Sequence, residues 1–266
     1  MTPRPTAAYP AHDVSKAASD EIVSFSYEDR ILAYVDILGW KDTVERSSKD
    51  RAGLISISKA LSSLADVEAR VRTMRQEAER DGRVGLALEA TLFSDTVVLS
   101  CRPDHRAITV LIAQLQWFCS DLMLAGIYTR GAIVRGQLHH TAREIVGPAL
   151  IDAHKLESTV AKYPRILISD PVLLLMVSIS RSVGTPSLLP VEQDVDMLTF
   201  LNLFVGMAGS LEEQRMRIYE AQLRVYADLQ KKEYYEDPGV RSKLGWLLKF
   251  LSVQLDKTPR QGEAGA

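Results

Sequence analysis

Cysteine is nearly absent from this 266-residue chain. Cys101 and Cys119 can form at most one bridge, and neither has a second cysteine or a histidine at metal-ligand spacing. That excludes a disulfide scaffold and a zinc finger, and both are read as reduced core thiols. Excess positive charge is missing too: 32 Lys and Arg face 34 Asp and Glu, a net charge of −2, so no global basic field exists to hold a nucleic-acid backbone. Long hydrophobic runs are lacking. Residues 108–128, interrupted by Gln114, Gln116 and Asp121, and the shorter 171–180 both fall short of about 20 uninterrupted apolar positions. The first 20 residues contain Pro3, Pro5 and Pro10 and have no apolar core of the kind a secretory signal needs. A cytoplasmic protein with no membrane and no nucleic-acid partner is expected. Phosphate-loop, dinucleotide-fingerprint and nucleophile-elbow strings are absent as well.

What is present has ordinary globular composition, 46% apolar and 25% charged, enough to bury a core. Residues 30–36 read as a strand ending in Asp36, followed by Gly39 and a helix. Residues 54–80 carry Leu54, Ile57, Leu61, Leu64, Val67 and Val71 as an amphipathic stripe that stops near Asp81-Gly82. Residues 86–93 and 96–101 form a hairpin whose tip is Ser94-Asp95. A helix over 105–125, with Gly126 at its C-cap, precedes a strand over 128–134. Arg135-Gly136 reads as a turn. Gly147-Pro148 opens a helix to Thr159, 165–169 is a short strand, and Pro171 starts another helix. After a 184–190 loop, one strand is expected within 196–205, then helices over 211–230 and 240–255 broken by Asp237-Pro238-Gly239. Helices interleaved with largely antiparallel strands predict an α+β sandwich.

Two acids stand out. Asp36 ends the first strand, and Asp95 sits at a hairpin tip that an adjacent strand could bring beside it. Two aspartates above a sheet suit a pair of Mg²⁺ or Mn²⁺ ions for in-line phosphoryl chemistry, because hard cations prefer carboxylate oxygen. The N–H groups of Leu38, Gly39, Trp40 and Lys41 would point from a helix start toward bound phosphates. Spacing alone leaves a second reading equally open, with Asp36 an N-cap and Asp95 a turn residue. His139, His140 and His154 lack partners at metal-ligand spacing and read as surface or packing residues. The charge run over 70–80 reads as a solvated helix face.

The string Ala33-Tyr-Val-Asp36-Ile-Leu-Gly39-Trp40 resembles the first metal motif of class III nucleotide cyclases, and Leu92-Phe-Ser-Asp95-Thr their second metal aspartate. Arg130-Gly-Ala-Ile-Val-Arg-Gly136 resembles the strand that follows. Gly147-Pro148-Ala-Leu-Ile151-Asp152-Ala-His-Lys155-Leu-Glu157 resembles their next helix, and Arg165-Ile-Leu-Ile-Ser169 the strand after it. Together with Arg241-Ser-Lys-Leu-Gly-Trp246-Leu, the set is similar to the pyrimidine cyclases of the bacterial Pycsar anti-phage system. Departures accompany the matches: Ile151 stands at the family's asparagine, Lys155 at its arginine, and Thr91 and Glu144 at the purine-selecting pair.

The resemblance implies a class III cyclase-like fold with a ferredoxin-like βαββαβ core and a C-terminal helical extension. A disordered or loosely packed 1–27, a cyclase domain over 28–205, helices over 206–257 packed on the core or a dimer partner, and a disordered 258–266 tail are expected. It implies two Mn²⁺ or Mg²⁺ ions held by Asp36, Asp95 and the carbonyl of Ile37. Lys155 would act across a homodimer with composite sites. Leu38, Gly39, Trp40, Lys41, Thr91 and Glu144 would contact UTP, or alternatively CTP. The product, cyclic UMP, would reach a separate cyclic-nucleotide-responsive effector that halts growth of infected bacteria. A reading from another class is a degenerate domain that binds nucleotide or dimerises without turnover, which the missing asparagine motivates.

Overall fold

The computed structural model describes residues 26–80, 88–182, 190–207 and 209–259. The N-terminal lead-in, the helix stop at Asp81-Gly82, the first residues of the hairpin, the 184–189 loop and the frayed end at 261–266 lie outside the described residues.

Alternating burial builds the first strand, β1 (Glu28–Ile37). Its odd residues Ile31, Ala33, Val35 and Ile37 enter the main core, while Leu32 joins a smaller cluster on the opposite face. Gly39, in the left-handed region at φ +70, makes the turn into α1 (Trp40–Ser47). Helix α2 (Arg51–Arg80) follows, then the hairpin of β2 (Glu89–Phe93) and β3 (Thr96–Cys101). Next come α3 (His105–Leu124), capped by Asp104 on Ala107 N–H, and β4 (Thr129–His140). The rest of the sheet comes from β5 (Ile145–Val146), β6 (Ile166–Ile168), β7 (Val191–Gln193) and β8 (Thr199–Leu201). They are separated by α4 (Pro148–Thr159) and α5 (Asp170–Ser182). The strand order is β2-β3-β1-β4-β6-β8-β7, with β5 paired to β4. Among the described residues only β4 and β6 run parallel, and every other pair is antiparallel. The molecule is a mixed α/β structure on one sheet.

The main core lies between one face of the sheet and α2, α3 and α5. Helix α3 is long and apolar enough to cross a membrane by composition, and 67% of that window is buried in the protein. Its buried Gln116 donates to the carbonyls of Asn202 and Val205, so its polar interruptions serve packing. Helix α4 covers the other face through Ala149 and Ala153, which meet Leu32, Val98, Val134 and Leu138. The C-terminal helices α6 (Leu211–Leu229), α7 (Lys232–Glu236) and α8 (Pro238–Lys257) follow. Ile218, Ala221 and Val225 of α6 and Leu244, Leu247 and Leu251 of α8 share the main core. Asp237 caps α8 on the Gly239 and Val240 amides, which is why the chain breaks there.

Three sequence expectations are corrected. Arg135-Gly136 is no turn: both residues continue β4, Arg135 paired to Asp29 of β1 and Gly136 lying where an added Cβ would sit 3.3 Å from Ala149. The glycine serves the close approach of α4. The strand expected within 196–205 is β8, shortened to Thr199–Leu201, and it pairs with a strand that the sequence reading missed, β7, across a turn that holds Asp196. In α2 the inward face is Ala60, Val67 and Val71, whereas Leu54 and Leu61 are exposed, because the first turns lie beside α1 rather than over the sheet.

Candidate active site

Asp36 is the penultimate residue of the central strand, flanked by Thr96 of β3 and Arg130 of β4. Because Asp36 alternates with the core residues Val35 and Ile37, its side chain emerges on the α4 face. The β2–β3 hairpin brings Asp95 to the same place: Ile37 N–H donates to the Asp95 carbonyl at 3.1 Å. Ser94 takes φ 53 to make that turn. Leu38 N–H donates to the Tyr128 carbonyl at 2.8 Å, and the Tyr128 hydroxyl donates to the buried Asp228 of α6 at 2.6 Å. The loop after Asp36 is thereby tied to the C-terminal helices.

Burial, then Glu157, then Asp95 push the Asp36 carboxyl up to about 6, against lowering by Arg130 and by the Thr96 hydroxyl, which donates at 3.3 Å. Glu157, buried on the inner face of α4, pairs with Arg130. Neither Arg130 Nε nor Glu157 Oε1 achieves hydrogen-bond alignment. Tyr34, one alternation before Asp36, is likewise raised by burial with added contributions from Asp36, Glu157 and Asp95, and offset by its bond with Thr96. Three carboxylates thus surround one arginine. That excess of partly buried negative charge suits a hard divalent cation. Among the described residues no group of three or more His, Cys, Asp or Glu side chains gathers at metal-ligating geometry. The available donors are therefore two aspartates plus backbone, the sparse set that Mg²⁺ completes with water and substrate phosphate. Ile37 can contribute only its carbonyl, since its side chain is buried in the core.

The remaining sequence candidates are spread around this point. Trp40 packs its partly buried ring on the main core, and Lys41 is exposed beside Glu45 at 3.9 Å. With Leu38 and Gly39, Trp40 lines a cleft of about 460 Å³ that Lys231, Tyr234 and Lys243 also line; neither Asp36 nor Asp95 lines it. Thr91, on β2, contacts His140 Nε2 at 2.8 Å. Glu144 is exposed in the β4–β5 connection near His139. Lys155 and Ile151 lie on the outward face of α4, away from Asp36. The chain thus unites Asp36 with Asp95 but not with Lys155.

Arg130, Glu157, Thr96 and His140 were not chosen from the sequence as site residues. Arg130 and Glu157 stand within the quoted motifs, and their even spacing from inward-facing Ala132 and Ala153 is the only local signal that they face inward. His140 gives none, because its partners Ser100 and Thr91 lie 40 and 49 residues away.

No family model matches the chain, and no curated protein sequence matches it. Among solved structures it is similar to the catalytic core of a rhodopsin-guanylyl cyclase with converted specificity, in complex with ATPαS. The identity is 18%, the TM-score 0.38, and the alignment covers 66% of this chain and 95% of that one. A likeness of that size adds nothing to what the side chains provide.

Proposed function

We propose that this chain is a metal-dependent nucleotide cyclase. It would convert UTP, with CTP as the alternative, into the 3′,5′-cyclic nucleotide and pyrophosphate. One observation carries the reading: Asp36 and Asp95, 59 positions apart in sequence, converge at the end of the central strand beside a partly buried excess of carboxylate. A retired site has no physical reason to keep like charges together in partial burial.

Two Mg²⁺ or Mn²⁺ ions held by Asp36, Asp95 and the Ile37 carbonyl would lower the pKa of the ribose 3′-hydroxyl and neutralise the triphosphate. The amides of Leu38 to Lys41 that remain free at the start of α1 orient the β- and γ-phosphates. Leu38 contributes less, its N–H being committed to Tyr128. The 3′-oxygen then bonds to the α-phosphorus, the bond to the β-phosphate oxygen breaks, and the hydroxyl proton is lost to water. Arg130, fixed by Glu157, limits the repulsion between Asp36 and Asp95 while the site is assembled. Lys155, projecting outward from α4, meets the α-phosphate of a site on a second copy, which makes the dimer the active unit. Thr91 and Glu144 take the place of a purine-reading pair. The motif resemblance carries the rest: cyclic UMP as a diffusible signal in anti-phage defence, read by a separate effector.

The test is incubation of purified protein with ATP, GTP, CTP and UTP plus Mn²⁺, with products separated by chromatography. A cyclic pyrimidine nucleotide is expected. Preference for ATP or GTP would overturn the pyrimidine assignment. Four unconverted triphosphates would leave the degenerate-binder reading in its place.

A further inference from the structure

The two peptides that close the central strand are held from opposite sides. Ile37 N–H donates to the Asp95 carbonyl on the β3 side, and Leu38 N–H donates to the Tyr128 carbonyl on the β4 side. A peptide unit is planar and trans, so its N–H and C=O point in opposite directions. Leu38 N–H and the Ile37 carbonyl belong to one such unit. Fixing the N–H toward Tyr128 therefore turns the Ile37 carbonyl toward the hairpin that carries Asp95.

Tyr128 is itself anchored from a distance. It is buried, and its hydroxyl donates to Asp228 Oδ2 of α6 at 2.6 Å, 100 residues further along the chain. Asp228 is buried as well; Lys231 Nζ lies 2.7 Å from its Oδ1 and Arg224 Nε 3.4 Å from its Oδ2. A carboxylate out of water needs such partners to stay charged. Burial and the bond to Asp228 raise the Tyr128 pKa, so the phenol keeps its proton and remains a donor. Arg224 also rests on the turn that leads into Tyr128, where a Cβ added at Gly126 would meet its Nη2 at 2.2 Å. Helix α6 thus grips the approach to β4 at two points.

A backbone carbonyl depends on such a grip more than a carboxylate does. Asp36 can turn its side chain to meet an ion, whereas the Ile37 carbonyl moves only with its backbone. The register of β1 with β4 ends at Ile37↔Thr129, so the Leu38 bond lies just past the ladder. Gly39, in the left-handed region, has open space where a side chain would sit, and packing at that residue does not hold the loop.

We infer that Asp228, acting through Tyr128, aims the Ile37 carbonyl at the cation beside Asp36 and Asp95, so that the C-terminal helices set the affinity of the metal site. The inference rests on the cyclase reading for the presence of the cation and on these hydrogen bonds for the aim of the carbonyl. Tyr128 and Asp228 are positioning residues, since both act through the Ile37–Leu38 peptide. Displacing α6 would loosen the metal without touching either aspartate.

The experiment titrates Mn²⁺ into the full chain with the free ion read by electron paramagnetic resonance, and in parallel measures turnover of the triphosphate it cyclises against Mn²⁺ concentration. Tyr128→Phe deletes one oxygen and Asp228→Asn one charge. Each should weaken Mn²⁺ binding about tenfold and raise the KM for Mn²⁺ in step, with kcat at saturating Mn²⁺ held within about twofold. Arg217→Ala, which frees α6 from Asp121 of α3, should lower the melting temperature and leave the Mn²⁺ affinity unchanged. In the folded wild type the Leu38 amide should exchange with deuterium as slowly as the amides of β1, and about tenfold faster in Tyr128→Phe. A wild type that binds Mn²⁺ while both variants keep its affinity, or lose kcat alone, would overturn the inference and spare the cyclase. Rapid exchange at Leu38 in the wild type would overturn it without any variant, so the test survives a failure of either variant to fold. A wild type that neither binds Mn²⁺ nor forms a cyclic nucleotide would remove the cyclase reading itself, and the positioning role with it.

Discussion

Two inward-facing arginines sit almost side by side, Arg130 at the start of β4 and Arg165 just before β6, whose carbonyl accepts from Gly131 N–H at 3.1 Å. Their surroundings differ in what is left over. Arg165 binds both Asp194 and Asp196, and Asp194 also accepts from Trp246 Nε1 at 2.6 Å. The rings of Tyr163, Phe200 and Trp246 stand 5.3 to 5.7 Å from its guanidinium carbon. Trp246 stacks on Tyr163 and Phe250, so this cluster fastens α8 to the sheet. Around Arg130, by contrast, Glu157 takes the cation and Asp36 and Asp95 go without. The two clusters move carboxyls in opposite directions: the Arg165 hydrogen bond holds Asp196 below its usual range, while Asp36 rises to about 6. Both carboxylates beside Arg165 bond to it directly, which makes that cluster a fastener; around Arg130 two carboxylates lie without such a bond, and that like charge suits a cation.

Breaking the Arg165 cluster gives the largest effect. Arg165→Ala strands Asp194 and uncouples Trp246, so chemical denaturation should find a loss of about 3–5 kcal/mol. A loss under about 1 kcal/mol would mean the cage is not a fastener.

The surplus cluster should fail in chemistry and not in folding. Asp95→Ala removes a proposed metal ligand, and turnover should drop by more than the about 100-fold that outer-shell changes cause, with an unchanged melting temperature. Lys155→Ala should be silent as well. Yet a mixed dimer of Asp36→Ala and Lys155→Ala chains holds one intact composite site, so it should regain activity that both parent homodimers lack. Verified mixing without rescue would place the whole site within one chain.

The smallest effect sharpens the comparison through pH. Asp36 has a folded pKa of about 6 against 3.8 as a free side chain, so between those values the folded state holds a proton that the unfolded state has released. Metal-free stability therefore falls as pH rises from about 4 to about 6 and stays lower above. Asp36→Asn removes that penalty. Its metal-free melting temperature at pH 7 should exceed wild type by about 2–4 °C, solvent screening limiting the gain, and the difference should vanish near pH 4. Mn²⁺ should raise wild type but not the variant. Asp196 runs the other way, its contribution being present above its unfolded pKa and lost as pH falls through its lowered folded value.

The first strand, the β2–β3 hairpin and the placement of Asp36 and Asp95 at strand end and turn were legible in the chain. Each is written in a span of a few residues: apolar alternation in β1 and turn formers at Ser94-Asp95. Glycine marks the limit of that legibility. At Gly39 it serves a left-handed turn and at Gly136 the contact with Ala149, and one letter cannot distinguish a backbone angle from a close neighbour. The charge clusters lay further out of reach. Arg165 meets Asp194 and Asp196 at separations of 29 and 31 residues, Asp194 meets Trp246 at 52, and Thr91 meets His140 at 49. Local periodicity says which side of its own element a residue faces. Whether Glu157 lands on Arg130, or His140 on Thr91, was decided by how α4 and the bent end of β4 close over the sheet, where burial makes each such pairing count.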